Sequence, residues 1–551
     1  MAIRGLFTLI NLHGLKKGAT MTGAASQACF VDTPEDFCAV ILASTVGARL
    51  FPLTSIQTPK HLLPMAGVPI LLRLLRVIQA SSFASCVVVV APDDVATIPL
   101  LQEQANVTQL AAQPHPVWNI APPDADPNGT ISSAMKLTVF RLTEDCPGSV
   151  EALRQVETAA LVDRASHMVV LPADLVVLGL EETLPHLVHT HRQALLQATL
   201  EVERVEPACT ILLADVGEQD EHGLPLKESA KQKKGGLARE EEEIEYVALS
   251  YESEKDNSPR VVWKQPKIDV EEDRDMTGAT PKLVLPKPRL RQGCITRVRT
   301  DWSDLHVYVF APWVRRLITS RTGLVSLQED LLPLLISRQF QGVVETFGSK
   351  ADKDILDEVL KLNTKTENTL TESNLLDGST NTEIHRLSTP RQSETAAPEG
   401  KRYSVLARVV QSSALRAHSV ASYLYASKEV SSRAVQDPTV TNTDPCLFVP
   451  NGTSHKPKYQ SVFLPDVQMG DKVTLKSCVV GRRCQIGTKC RLNNVVLMDD
   501  VVIGENTILQ NSIVSRHSVI GENCNLNDCQ VGPNQMIAPM TKEKGETFLE
   551  A

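Results

Sequence analysis

From Cys478 to Ile537 the chain reads CVVGRRCQIGTKCRLNN (478–494), VVLMDDVVIGENTILQN (495–511), SIVSRHSVIGENCNLND (512–528) and CQVGPNQMI (529–537), one pattern returning every 17 residues. Ile486, Ile503, Ile520 and Ile537 form one column, with Gly487, Gly504 and Gly521 behind the first three. Val480, Leu497, Val514 and Val531 form another, and Cys478, Val495, Ser512 and Cys529 a fourth. Within a period the large aliphatics are separated by two steps of six residues and one of five, as in Ile486, Leu492, Leu497 and Ile503. Three short flat sides per turn make a triangular prism, and this step length predicts a parallel β-helix of hexapeptide-type coils. Each coil buries its apolar corners only by stacking on its neighbours, so the coils stand or fall together. We expect the prism at residues 471–540, with 541–551 as a tail.

The rest of the chain sets wider bounds. At 551 residues it is too long for a single core. A net charge of −9 argues against a general nucleic-acid binder, and no apolar run reaches the length of a membrane span. Residues 1–35 read as a disordered N-terminal extension, with Met21 as an alternative start; the run Leu6 to Ile10 is too short for a secretory core. Twelve cysteines occur without one C-x-x-C pair, which disfavours zinc. Cys478, Cys484, Cys490, Cys524 and Cys529 fall in the small-residue columns of the repeat, where a thiol acts as apolar filler. With no secretion signal they read as reduced thiols of a cytosolic protein. No metal and no cofactor are expected.

Before the repeat, apolar strands alternate with helical spacing. Phe37 to Ala43, Cys86 to Ala91, His167 to Leu171 and Ala208 to Ala214 read as buried strands, and Ile70 to Gln79 as a helix. This predicts a doubly wound α/β domain at 36–347, with ligands at the carboxyl ends of its strands. A charged, solvated insertion falls at about 217–245. Residues 348–402 hold no aromatic residue and are rich in Ser, Thr, Asn and charged groups, so they read as a flexible linker, followed by a connecting segment at 403–470.

The chemistry-bearing stretch follows the first strand: LASTVGARLFPLT (42–54), then TPKHLLPMAGVPI (58–70). It resembles the sugar-nucleotide pyrophosphorylase family, whose signature is L-A-G-G-x-G-T-R-L-x-P-L-T and P-K-x-L-L-P-x-x-G-K-P. The resemblance covers residues 36 to about 338 and implies a Rossmann-like nucleotidyltransferase domain. It implies that Gly47 lets the backbone approach a nucleotide, that Arg49 and Lys60 face its phosphates, and that Gly129 and Thr130 of DPNGT (126–130) lie beside it. It also implies that Asp174, in LPAD (171–174), stands where active members hold Mg²⁺. Structural alternatives stand beside these roles: Arg49 bracing the loop against an acidic neighbour, and Asp174 capping the turn after its strand. His306 and His418 read as structural.

The departures point away from catalysis. The family's first two glycines are Ser44 and Thr45 here, and β-branched Thr45 crowds the triphosphate space. Val68 replaces the family's second lysine, and F-V-E-K-P has only an echo in Val262 to Pro266. Losing one phosphate ligand costs on the order of a hundredfold in rate, so no catalytic residue is assigned. A degraded domain of this kind joined to a left-handed β-helix resembles the pyrophosphorylase-like subunits of eukaryotic translation initiation factor 2B. The gamma branch of that family is favoured by RTDWSDLHVY (299–308), by AHSVASYLYASKE (417–429), and by a chain ending just past the coils, where epsilon continues. The resemblance implies a non-catalytic role in guanine-nucleotide exchange on initiation factor 2. The implied partners are an epsilon subunit, with alpha, beta and delta subunits in the larger complex, and neither nucleic acid nor membrane. The alternatives are a mannose-1-phosphate guanylyltransferase-like enzyme and a non-catalytic regulatory subunit of one.

Overall fold

Phe37–Ala43, FCAVILA, has no polar side chain to hold it at a surface, and it is buried at the centre of a sheet that has 12 strands among the described residues. It pairs in parallel with Ser85–Val90 on one side and His167–Pro172 on the other. The chain thus leaves the first strand in one direction and later returns on its other flank, which opens a crevice at that strand's carboxyl end. Met135–Arg141 extends the parallel set beyond Ser85–Val90. Trp302–Phe310 pairs antiparallel with both His167–Pro172 and Val205–Asp215. One face of the sheet is covered by the helices Ile70–Ala80 and Thr183–Leu200, the other by Ser149–Thr158, Pro312–Ser320 and Leu332–Arg338.

The computed structural model describes residues 36–45, 47–55, 58–103, 107–111, 115–120, 135–144, 146–163, 166–178, 183–200, 205–217, 243–251, 258–270, 295–339, 402–411, 414–436 and 461–549. The expected extension at 1–35 and most of the expected insertion and linker lie outside them.

Arg402–Gln411, expected to begin a connecting segment, is instead a strand of the main sheet, parallel to Val205–Asp215. Its stretch Ser404 to Val410 is a near-continuous apolar run, and Val405 and Ala407 are fully buried. Ala414–Arg416 then pairs antiparallel with Leu175–Val177, placing Arg416 opposite Leu175 at the crevice. The helix Val420–Gln436 follows and fills the joint between the two halves of the chain. Tyr423 and Ala426 pack in one cluster with Leu50, Leu63 and Met65 of the α/β domain and with Val496 and Ile513 of the prism. The Tyr423 hydroxyl donates to the Pro64 carbonyl. Gly67 lies so close to Leu464 that a Cβ there would come within 2.5 Å of it.

The prism is three parallel sheets whose strands pair at intervals of 17 residues, as in Leu475 with Leu492, Leu509 and Leu526. It runs from Val462–Phe463 to Thr547–Phe548, beyond the expected 471–540 at both ends. The last coil was hidden because its columns turn polar: Glu543 stands in the column of Leu526, and Glu546 in that of Cys529. A polar terminal coil closes an apolar column against water. Each corner holds a residue with positive φ, in the series Arg483, Asp500, His517, Asn534 and in Asn494, Asn511, Asp528. Asn and Asp tolerate that conformation best among non-glycine residues. The Asn494 amide donates to Asn511 and the Asn511 amide to Asp528, both at 3.0 Å.

The five cysteines of the repeat are buried and unbridged. They also hydrogen-bond: Cys484 Sγ donates to the Met498 carbonyl at 3.0 Å, as Ser518 Oγ does to the Gly532 carbonyl at 2.8 Å two coils further along the same column. Burial pushes the Cys478 thiol up to about 11 and that of Cys484 up to about 12.

Candidate functional site

The loop after Phe37–Ala43 enters the crevice through Gly47, whose φ of +93° turns the chain into a short 3-10 turn, Ala48–Leu50. Leu50 anchors this turn in the joint cluster, and Thr54 Oγ1 donates to the Gly47 carbonyl at 2.9 Å. Arg49 is half-exposed and lies 3.8 Å from Glu243, which is the acidic neighbour the bracing alternative requires. A second 3-10 turn, Lys60–Leu62, is pinned by His61, fully buried with its Nε2 2.7 Å from Thr97 Oγ1. The stem of Lys60 then lies over Gly47, 3.0 Å from where a Cβ would stand.

Asp174 sits just past the strand His167–Pro172 with no exposed surface. Its Oδ2 is 3.1 Å from Lys60 Nζ, while Arg416 donates Nε to Oδ1 at 3.2 Å and a terminal nitrogen to Oδ2 at 3.1 Å. Burial alone raises a carboxyl pKa, but Arg416 and Lys60 more than reverse it and hold Asp174 well below the usual range. With two cations on its oxygens, this carboxylate does not fit a divalent-metal ligand as it stands. Gly129 and Thr130, the remaining predicted site residues, lie outside the described residues. The structure therefore brings Gly47, Lys60 and Asp174 together and leaves Arg49 at the rim.

Sequence reasoning missed the partners. Arg416 lies 242 positions from Asp174, and no local spacing joins them; its one signal was the apolar run preceding it. Beside this pair the crevice widens into a cavity of about 830 Å³. On its wall Lys264 is held between Glu245 at 2.8 Å and Asp304 at 3.0 Å, all three nearly devoid of exposure. Asp304 also accepts from Tyr308 Oη at 2.9 Å and from the His306 backbone N–H at 2.7 Å. His306 and His418 both line this cavity. His306 is neutral, its pKa pushed down to about 3 by burial and by Arg416, and His418 hydrogen-bonds Glu243. The crevice is thus a chain of ion pairs in which the cations near the Gly47 loop already face a carboxylate of the same chain.

Among the described residues, no group of three or more His, Cys, Asp or Glu side chains is placed to hold a metal ion, and no helix is long and apolar enough to cross a membrane. Fold and crevice together define a Rossmann-like nucleotidyltransferase domain followed by a parallel β-helix. Comparison with protein families agrees: residues 39–220 match the MobA-like NTP transferase domain, and residues 459–543 match the GMPPB C-terminal domain. The pairing of these two domains is consistent with the sugar-nucleotide pyrophosphorylase family. Comparison with the curated proteins finds no match.

Proposed function

We propose that this chain is a non-catalytic structural and regulatory subunit of the cytosolic complex that exchanges GDP for GTP on translation initiation factor 2. Its place there is that of the gamma subunit, paired with epsilon beside alpha, beta and delta subunits. The observation that carries the non-catalytic reading is the state of Asp174, with Lys60 and Arg416 both committed to its carboxylate. Phosphoryl transfer needs such groups free to meet metal and phosphate. Here Val68 already lacks one cation, and Thr45 narrows the loop. The gamma assignment is supported by the stretches 299–308 and 417–429, the second of which contributes Tyr423 to the joint. Gly47, Arg49 and Lys60 are then remnants of a nucleotide site. Co-expression with an epsilon subunit tests this: a stable heterodimer that accelerates GDP release from initiation factor 2 is expected. Recovery of the chain with a guanylyltransferase and no initiation-factor subunit would refute it.

The match of residues 459–543 to the GMPPB C-terminal domain favours one second reading, a sugar-1-phosphate nucleotidyltransferase or a regulatory subunit of one. Pyrophosphate release from nucleoside triphosphates with sugar 1-phosphates separates the enzyme from our reading, which expects none above background.

A further inference from the structure

Two bridges of cation, carboxylate and cation join the same two parts of the crevice. In the interior Arg416 and Lys60 meet on Asp174, and at the rim His418 and Arg49 meet on Glu243. Each bridge takes one cation from residues 416–418 and one from the turns Ala48–Leu50 and Lys60–Leu62. The bridges differ in exposure: Asp174 has none, whereas the Arg49 side chain is 51% exposed. The 416–418 end is fixed, since Arg416 is in register with Leu175 and the Ala417 N–H donates to the Asp174 carbonyl at 2.9 Å. The other end is held less, since the amides of Leu50, Phe51 and Leu53 bond within their own turn.

His418 makes the rim bridge depend on a proton. Its Nε2 faces a Glu243 carboxylate oxygen, and its Nδ1 faces the Arg416 carbonyl at 3.3 Å. Both partners only accept, so both ring nitrogens must donate, which the imidazolium alone does. Burial would raise the Glu243 carboxyl, but His418, Arg49 and Arg416 hold it below its usual range. The charged groups around His418 among the described residues are Glu243, Arg49, Arg416 and Asp174. Deprotonation turns a ring lone pair toward one of the acceptors, which breaks the bridge at its fixed end.

We propose that residues 416–418 are a strap that holds the Gly47 loop against the cavity, and that its rim fastening releases when His418 gives up its proton. The inner fastening on Asp174 stays closed, so the loop swings at its Arg49 end while Lys60 keeps its place. Arg49, Glu243, Arg416 and His418 all line the cavity, so release widens its rim. The device is independent of the exchange-complex reading, since no partner takes part in it.

The test is hydrogen exchange of the full chain, read by mass spectrometry on the peptide that carries Leu50, Phe51 and Leu53. It runs from about pH 5.5 to about pH 8, the span over which histidines titrate. Each rate is divided by that of the unfolded peptide at the same pH, which cancels the chemical pH dependence of exchange. Protection of this peptide is expected to fall by about three- to tenfold as pH rises, the size of a partly exposed ion pair. His418→Gln and Glu243→Gln should each give the lower protection at every pH. Arg49→Met is the third arm: it leaves the pair of His418 and Glu243 intact and cuts only its link to the loop, so it too should be low and flat. The helix Pro312–Ser320 is the control for folding, and a loss it shares with the loop is global. Loop protection that is flat with pH in the unaltered chain, or a pH dependence that survives in His418→Gln or Arg49→Met, overturns the proposal.

Discussion

Asp174 shows how two cations from distant parts of the chain hold a buried carboxylate in its charged form. Its carboxylate is fully buried, and its charge is tolerated because Arg416 forks onto both oxygens while Lys60 meets one. Arg416→Met should therefore cost about 3–5 kcal/mol, the range for stranding a buried charge, as read from chemical denaturation. Arg416→Met combined with Asp174→Leu should recover much of that loss; a double variant no more stable than the single one would refute the pairing argument. A second consequence concerns acid. Burial pushes His167 down to about 4, while burial and Arg416 push His306 down to about 3. Unfolded histidine titrates near 6.5, so below that pH the unfolded chain binds more protons than the folded one. The stability these groups provide is full above about pH 6.5. It is lost as pH falls toward their folded values, at up to about 1.4 kcal/mol per pH unit for each. The depressed carboxyl of Asp174 acts in the same direction at lower pH, below its unfolded value near 4. Urea midpoints measured from pH 7 to pH 4 should fall, and His167→Gln should flatten the slope. At this scale the sequence revealed which residues to watch, because loop and strand end are local patterns. It did not reveal Arg416, Glu243 or Glu245, because ion pairing across a sheet leaves no spacing to read.

Among the elements, the coils were the most legible. A side chain inside a narrow prism has the same neighbours in every turn, so the columns repeat in the sequence as they do in space. Two features were visible only in the structure. The cysteine columns are donor positions as well as small ones, since Cys484, Thr507 and Ser518 each bond to a carbonyl 14 residues on. Cys484→Ser should therefore shift stability by less than about 1 kcal/mol, whereas Cys484→Leu should cost about 1–3 by overpacking; equal losses would refute the donor role. The corners are the second feature. Asn511, at φ +46°, links Asn494 to Asp528. Replacing it by Val adds strain of about 1–3 kcal/mol to the lost ladder bonds, while Gly loses only the bonds, so thermal unfolding should rank wild type, Gly, then Val. The strand Arg402–Gln411 was misread for a different reason: it follows a long polar segment, and its partner Val205–Asp215 lies about two hundred residues earlier. Nothing nearby marks a lone returning strand as part of a distant sheet.

In the molecule as a whole, the segment that carries Gly47 and Lys60 and the prism share one core. Leu50, Leu63 and Met65 flank the turns that carry Arg49 and Lys60, and they pack with Tyr423, Val496 and Ile513. Tyr423→Ala should cost about 3–5 kcal/mol at this joint and split a single calorimetric transition into two; one sharp transition at an unchanged midpoint would refute that coupling. Two domains were legible from sequence, but their joint was not, since its residues come from a loop, a helix and the prism, and only folding gathers them.

The constant register of the coils has a metrical consequence. Strands stack about 4.8 Å apart, so the six-stranded side of the prism spans roughly 24 Å along its axis. Removing or adding 17 residues moves everything beyond by one rung, without turning a side chain to another face. The prism is thus a graduated rod, whose reach can change only in whole rungs.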